Sequence, residues 1–342
     1  MEKVAVIGLG IISESHYQGW DSHPGVKLSA VVDIDPEKAK TKAKEWGAER
    51  WETDYHPILE DGDITICDVC LPHHLHASVT MDCLKAGKDV LCEKPIAMNL
   101  REAEAVICTW KDSGHLLMIA ENWYYLPVVE KAMELLKNGE IGEIYYLQGN
   151  LEFDGYRDQL LGKDSVRNRG WRGDKQHAGG GILMDAGIHS ISVARLFAGE
   201  VRTVWGIKGP QAADGTELED TIDVSLKFDH DVLGQFHLAE TAGRDDCRFD
   251  FSVYGTKGRL AIDILKQEVN LFTGGNIETF NKPAAGGMIE EINHFMDCLE
   301  SGKKPLSDAV DQAHSLGVVL AAYESMRKNG TPVSPEKYSM RT

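Results

Sequence analysis

From Met1 to about Glu121, short apolar runs alternate with amphipathic stretches. The runs are "KVAVIGLG", "VKLSAVVDID", "ITICDVCLP", "KDVLCEK" and "HLLMIAENW", which have no polar alternation and read as strands. Between them, "IISESHYQGWDSH", "PEKAKTKAKEWG", "HASVTMDCLKAG" and "LREAEAVICTWKDSG" read as helices. Pro36 opens the second of these, and Gly47, Gly87 and Gly114 close the last three. Strands that are apolar throughout, separated by helices, predict a parallel sheet covered on both faces.

After the helical stretch "VVEKAMELLKNGEIG" the pattern changes. A long run, "EIYYLQGNLEFD", leads into a polar, glycine-rich loop and one helix, "GILMDAGIHSISVARLFAG". Six extended segments follow, from "VRTVWGIKG" to "EVNLFTG", with little helix between them. Thr221, Asp223, Ser225 and Lys227 alternate there with Ile222, Val224, Leu226 and Phe228, which predicts a sheet with one solvated face. Two further helices close the chain. The expected architecture is an α/β domain over residues 1–122, a Rossmann-type doubly wound parallel sheet, followed by an α+β domain over 123–342 with a mostly antiparallel open sheet. The closing helices are expected to pack back across both.

A chain of 342 residues has room for two such domains. Its formal net charge of −18 argues against a nucleic acid or an anionic membrane as partner. No apolar run approaches the roughly 20 residues of a membrane span. The start "MEKVAVIGLG" lacks the basic and apolar regions of a secretory signal, so a cytoplasmic location is expected. The 7 cysteines are scattered. Cys67 and Cys70 form a CxxC, but inside an apolar strand residues three apart face opposite ways, so both read as buried filler.

Four stretches carry candidate chemistry. In "VAVIGLGIIS", Gly8 permits a tight turn and Gly10 lets a pyrophosphate approach the helix N-terminus, with Ile11 and Ile12 beside it. Ser13 replaces a third glycine. Asp33, at the end of the second strand, suits a ribose 2′-hydroxyl, and no Arg follows it to hold a 2′-phosphate, so NAD is expected rather than NADP. In "LPHHLHAS", Pro72, His73, His74 and His76 fall at the carboxyl edge of the sheet, where ligands bind. Helix capping and cofactor contact are expected of these residues, rather than zinc binding. "VLCEKPIAMN" ends an apolar strand with Glu93 and Lys94 before Pro95. A surface ion pair would be near neutral in energy, whereas a lysine at the carboxyl end of a sheet strand is placed to act as a catalytic cation. Finally, Asp185 and His189 lie four apart on the helix after Gly179, Gly180 and Gly181, and so share a face. An imidazole there suits a general base.

The combination resembles the Gfo/Idh/MocA family, the glucose-fructose oxidoreductase and inositol dehydrogenase group. The resemblance rests on "GLGIIS", Asp33, "LPHHLHAS", "AGKDVLCEKPIAMN", "GEIGEI", "WRGD" and "AGGGILMDAGIHSIS", in that order along nearly the whole chain. It implies an N-terminal Rossmann domain and a C-terminal domain that carries the substrate site and joins copies through its open sheet into a homodimer or homotetramer. It further implies an oxidoreductase acting on a sugar or polyol hydroxyl with NAD(P), whose catalytic Lys, Asp and His correspond to Lys94, Asp185 and His189. Trp171 and Arg172 match the family's "WR" element beside the cofactor, and Glu93, Lys94 and Asn122 join the cofactor-side candidates. Tyr124, Tyr156 and Arg157 are substrate-side candidates. The charged loop 154–176, with Arg157, Lys163, Arg167 and Arg169, does not translate into a substrate. An NAD-using lyase or glycosidase, or a non-catalytic NAD sensor, stays open as an alternative; the family's "GGHGG" glycosidase element is missing.

Overall fold

A computed structural model describes residues 1–153, 170–210, 217–240, 247–283 and 286–336. The chain divides into two compact units, Met1–Asn122 with Ala285–Ala313, and Trp123–Ala284 with His314–Thr342.

The first unit is built on strands β1 (Glu2–Ile7), β2 (Val26–Val32), β3 (Arg50–Glu52), β4 (Ile66–Val69), β5 (Asp89–Glu93) and β6 (Leu117–Ala120). They form one parallel sheet in the order β3-β2-β1-β4-β5-β6. The order reverses direction on either side of β1, which is the doubly wound arrangement. Val4 to Ile7, Val90 to Cys92 and Leu117 to Ala120 are all buried, because helices cover both faces. Those helices are α1 (Ile11–Ser22), α2 (Pro36–Trp46), α3 (His56–Glu60), α4 (His73–Lys85) and α5 (Leu100–Ser113). Asp35 caps α2 by accepting from the amides of Glu37 and Lys38, and Asn99 caps α5 through Glu102. Strand β3 and helix α3 are not legible in the hydrophobic pattern. Three half-exposed residues at a sheet edge carry no apolar run.

The late helix Met288–Ser301 belongs to this unit and packs on α1. Trp20 meets Phe295 edge-on at 5.7 Å, and a Cβ on Gly19 would collide with the side chain of Ile292.

The second unit holds β7 (Ile144–Phe153), β8 (Val201–Lys208), β9 (Thr221–Phe228), β10 (Leu233–Glu240), β11 (Arg248–Gly255), β12 (Gly258–Asp263), β13 (Glu268–Thr273) and β14 (Asn276–Asn281). Their order is β14-β13-β12-β11-β7-β10-β9-β8, and every neighbouring pair is antiparallel except β7 with β10. On β9 the apolar residues are buried, while Asp223 and Ser225 face solvent. The covered side receives the helix Ile188–Ala198, whose Phe197 meets Phe251 edge-on at 6.2 Å.

The stretch expected as one helix from Gly181 is instead a π-helical turn, Leu183–Gly187, running into Ile188–Ala198. Counted from Lys175 to Ala198, the 24 residues here are long and apolar enough to cross a membrane, a possibility the sequence pattern did not suggest. Its most apolar window of 18 residues is 78% buried within the fold, as expected of a core helix.

Candidate active site

The turn between β1 and α1 is shaped by two glycines with different needs. Gly8 has φ +95°, and a Cβ there would collide with the carbonyl oxygen of Cys70. Gly10 is extended and serves as N-cap of α1 without a side-chain cap, and a Cβ on it would meet no protein atom within 4 Å. The protein's own packing therefore does not require glycine at position 10. The open first turn of α1 fits the close approach of a pyrophosphate to its amides. The Ser13 hydroxyl is buried and donates to the Gly10 carbonyl at 2.6 Å, fastening the turn from within.

Asp33 closes the same edge. Its Oδ2 accepts from the Leu9 amide at 3.0 Å and from Lys38 Nζ at 2.8 Å, and its Oδ1 accepts from the Asp35 amide. Burial favours the neutral acid, but Lys38 and the two amides outweigh it and hold the carboxyl below its usual range. The lowered pKa favours its anionic form. Lys38 is a cation that the sequence reading did not place beside it.

Lys94 follows β5 directly and is half-buried, and its peptide bond to Pro95 is cis. Beneath it lies a buried ionic chain. His16 Nε2 is 3.0 Å from Glu93 Oε1, and His16 Nδ1 is 3.0 Å from both Asp68 oxygens. The Trp20 indole donates to Asp68 at 2.7 Å. Burial works against a charged imidazole, yet Asp68 prevails and raises His16 well above its ordinary value, so the ring is an imidazolium between two carboxylates. His16, Asp68 and Cys70 lie close enough together to hold a metal ion. Burial keeps the Cys70 thiol protonated, however, and both His16 nitrogens are engaged by carboxylates. The cluster reads as a hydrogen-bonded core. Glu291, from the helix Met288–Ser301, faces the same cluster fully buried, with no hydrogen bond to either carboxyl oxygen among the described residues. Burial drives its pKa well up, with Glu93, Glu121 and Asp68 adding to the shift and His16 opposing it. Its surroundings therefore favour the neutral acid.

Of the histidines in "LPHHLHAS", Pro72 precedes α4 as its N-cap and His73 is buried in its first turn. The fully buried His76 ring lies 2.7 Å from the carbonyl oxygens of both Pro95 and Leu71. Only a charged ring could donate to both, but burial, helped by His73, pushes its pKa down to about 4 and keeps it neutral. Its ring ties the end of β4 to the "EKP" segment.

In the second unit, Asp185 lies in the π turn and is nearly buried. Its Oδ2 accepts from Arg172 Nε at 3.1 Å, and the Arg172 guanidinium lies 4.3 Å over the Trp171 ring. Arg172, expected on the cofactor side, is thus bound to Asp185. His189, half-buried, stacks on Trp123 with ring centroids 5.0 Å apart. Trp123 was missed by sequence reasoning; an aromatic 66 positions away gives no local signal. Tyr124 is buried, and its hydroxyl donates to the Ser192 carbonyl at 3.2 Å. Asn122 donates to the Gly286 carbonyl at 3.0 Å within the first unit. Tyr156 and Arg157 lie outside the described residues.

Residues 2–121 match the model of an oxidoreductase family with an NAD-binding Rossmann fold, and residues 133–334 match the same family's C-terminal alpha/beta domain. The chain belongs to the Gfo/Idh/MocA family. Among its curated relatives, levoglucosan dehydrogenase of Pseudarthrobacter phenanthrenivorans is 26% identical over 297 residues, 78% of this chain and 74% of that one. The NAD(+)-dependent scyllo-inositol 2-dehydrogenase of Bacillus subtilis is 27% identical over 345 residues, covering 97% of this chain and 95% of that one. Levoglucosan dehydrogenase solved with NADH and levoglucosan superposes with a TM-score of 0.90 at 23% identity, over 98% of this chain and 100% of that one, which shows a shared fold.

Proposed function

We propose that this Gfo/Idh/MocA protein is an NAD-dependent dehydrogenase that oxidises a secondary hydroxyl of a sugar, sugar derivative or cyclitol to a ketone. The observation that carries the reading is the helix segment bearing Asp185 and His189, each held by a neighbour of its own, Arg172 and Trp123. Named relatives that oxidise levoglucosan and scyllo-inositol support the substrate class.

Bound NAD supplies the hydride acceptor, its nicotinamide ring. His189 takes the proton of the substrate hydroxyl as general base. Lys94 donates to the same oxygen and stabilises the negative charge that develops on it as hydride leaves. Asp185 accepts from the substrate and fixes its orientation. Asp33, an anion at the ribose edge, favours NAD over NADP because a 2′-phosphate would meet its charge. The uncovered face of the second unit's sheet is the surface through which copies would pair into a homodimer or homotetramer.

The test is a panel of levoglucosan, inositols, aldoses and glycosides with NAD or NADP, followed at the absorbance band of the reduced nicotinamide. Accumulation of NADH with a member of the panel supports the dehydrogenase. Consumption of a glycoside without net NADH would point instead to transient oxidation.

A further inference from the structure

The helix segment that carries Asp185 and His189 opens with four amides, those of Gly181, Ile182, Leu183 and Met184, which precede any intrahelical partner of their own. Two residues distant in sequence satisfy all four. The Glu219 carboxylate accepts from Gly181 at 3.0 and 3.1 Å and from Leu183 at 3.1 Å, while the Glu219 main-chain oxygen accepts from Ile182 at 3.0 Å. The Tyr323 hydroxyl accepts from Met184 at 3.1 Å and donates to Glu219 Oε1 at 2.7 Å, closing the network. Glu219 is 9% exposed.

This arrangement also explains two glycines. A Cβ on Gly181 would collide with the backbone oxygen of Glu219, and one on Gly180 would collide with the Tyr323 hydroxyl. The pair of glycines lets two side chains reach a helix start from below, and the negative carboxylate complements the helix dipole there. Burial raises the Glu219 pKa against the lowering effect of its donors. A hydrogen-bonded acid keeps an acceptor oxygen in either protonation state.

We propose that Glu219 and Tyr323 are positioning residues that hold the turn bearing Asp185, and with it the start of the helix bearing His189, in the geometry the reaction needs. The inference rests on the dehydrogenase reading above. It assigns no contact with substrate to either residue. A displacement of about 1 Å at catalytic groups can cost about 100-fold in rate, so the expected signature is a loss in kcat with cofactor binding intact.

The experiment compares Tyr323→Phe, Glu219→Ala and Glu219→Gln with the wild-type chain. The readouts are kcat and KM for the best substrate of the panel, the NADH dissociation constant by fluorescence, and hydrogen exchange of amides 181–184. Tyr323→Phe is expected to lower kcat about 10-fold and Glu219→Ala about 100-fold. Both should leave NADH affinity unchanged and speed exchange of these amides. Glu219→Gln keeps Oε1 as acceptor for Gly181, Leu183 and Tyr323, and should restore kcat to within a few-fold of wild type. Because Glu219→Ala can fail to fold, Tyr323→Phe decides the matter in that case. Wild-type kcat in a folded Tyr323→Phe with unprotected amides, alongside an inactive His189→Ala, overturns the inference alone. Full turnover in His189→Ala, or no turnover of the panel by the wild type, overturns the reading beneath it as well.

Discussion

Trp123 lies flat against His189, with ring centroids 5.0 Å apart and planes within 14°. Phe251 meets Trp123 edge-on at 6.2 Å, and Phe249 stands tilted at 6.1 Å, so the indole is itself fixed by two side chains of β11. The stack sets the plane of the imidazole and therefore the direction in which its nitrogens point. Aromatic contacts of this kind contribute about 0.5–1.5 kcal/mol beyond buried area.

Trp123→Ala removes that stack. The expected outcome is a fall in kcat of about 10-fold or more, with NADH affinity unchanged, because the cofactor elements lie in the first unit. Trp123→Phe, which keeps an aromatic face, should lose less. Steady-state kinetics with an NADH fluorescence titration checks both.

Much of the first unit was legible because its strands are apolar throughout and end in glycine or charged residues at the ligand edge. Asp33 and Lys94 stand where that pattern puts them, one after β2 and the other after β5. The partners of these residues were not legible. His16, Asp68, Glu93 and Glu291 come from four separate elements, and each reads locally as an ordinary helix or strand position. The π turn escaped for another reason. Its apolar residues satisfy an α-helical period equally well, and only the remote Glu219 and Tyr323 show how its amides are held.

The buried cluster makes stability fall as pH rises. The Glu291 pKa is raised by burial, so its favourable contribution is complete below the ordinary value of 4.5 and is lost as pH climbs through its raised folded value. His16 is also raised, and its ion pairs with Asp68 and Glu93 contribute fully below 6.5 and weaken as pH climbs through its own raised value. Both act in the same direction on the alkaline side. Glu291→Gln, which mimics the protonated acid, should therefore melt higher than wild type at alkaline pH and flatten the decline in Tm between neutral and alkaline buffers. Thermal melts across that range measure it. A steeper decline in the variant would contradict the neutral assignment.

Cofactor choice should turn on Asp33 and the lysine it holds. Asp33→Ser removes the anion and leaves Lys38, 2.8 Å from the present carboxylate, available to a 2′-phosphate. The ratio of kcat/KM for NAD over NADP should drop by about 10-fold or more, in line with the loss of one charged contact. In the double variant Asp33→Ser with Lys38→Ala, NADP should lose what it gained. Parallel kinetics with the two cofactors separates these outcomes.

The central claim is that Lys94 and His189 perform proton and charge chemistry on a substrate hydroxyl while the Rossmann unit binds NAD without their help. The direct measurement is NADH formation by Lys94→Ala and His189→Ala with the best substrate of the panel, set beside the NADH dissociation constant of each variant. The account predicts turnover reduced by at least about 100-fold in each, the scale of one general acid–base or charge-stabilising group, with NADH binding within a few-fold of wild type. Turnover near wild type in either variant, from a folded protein, would contradict it.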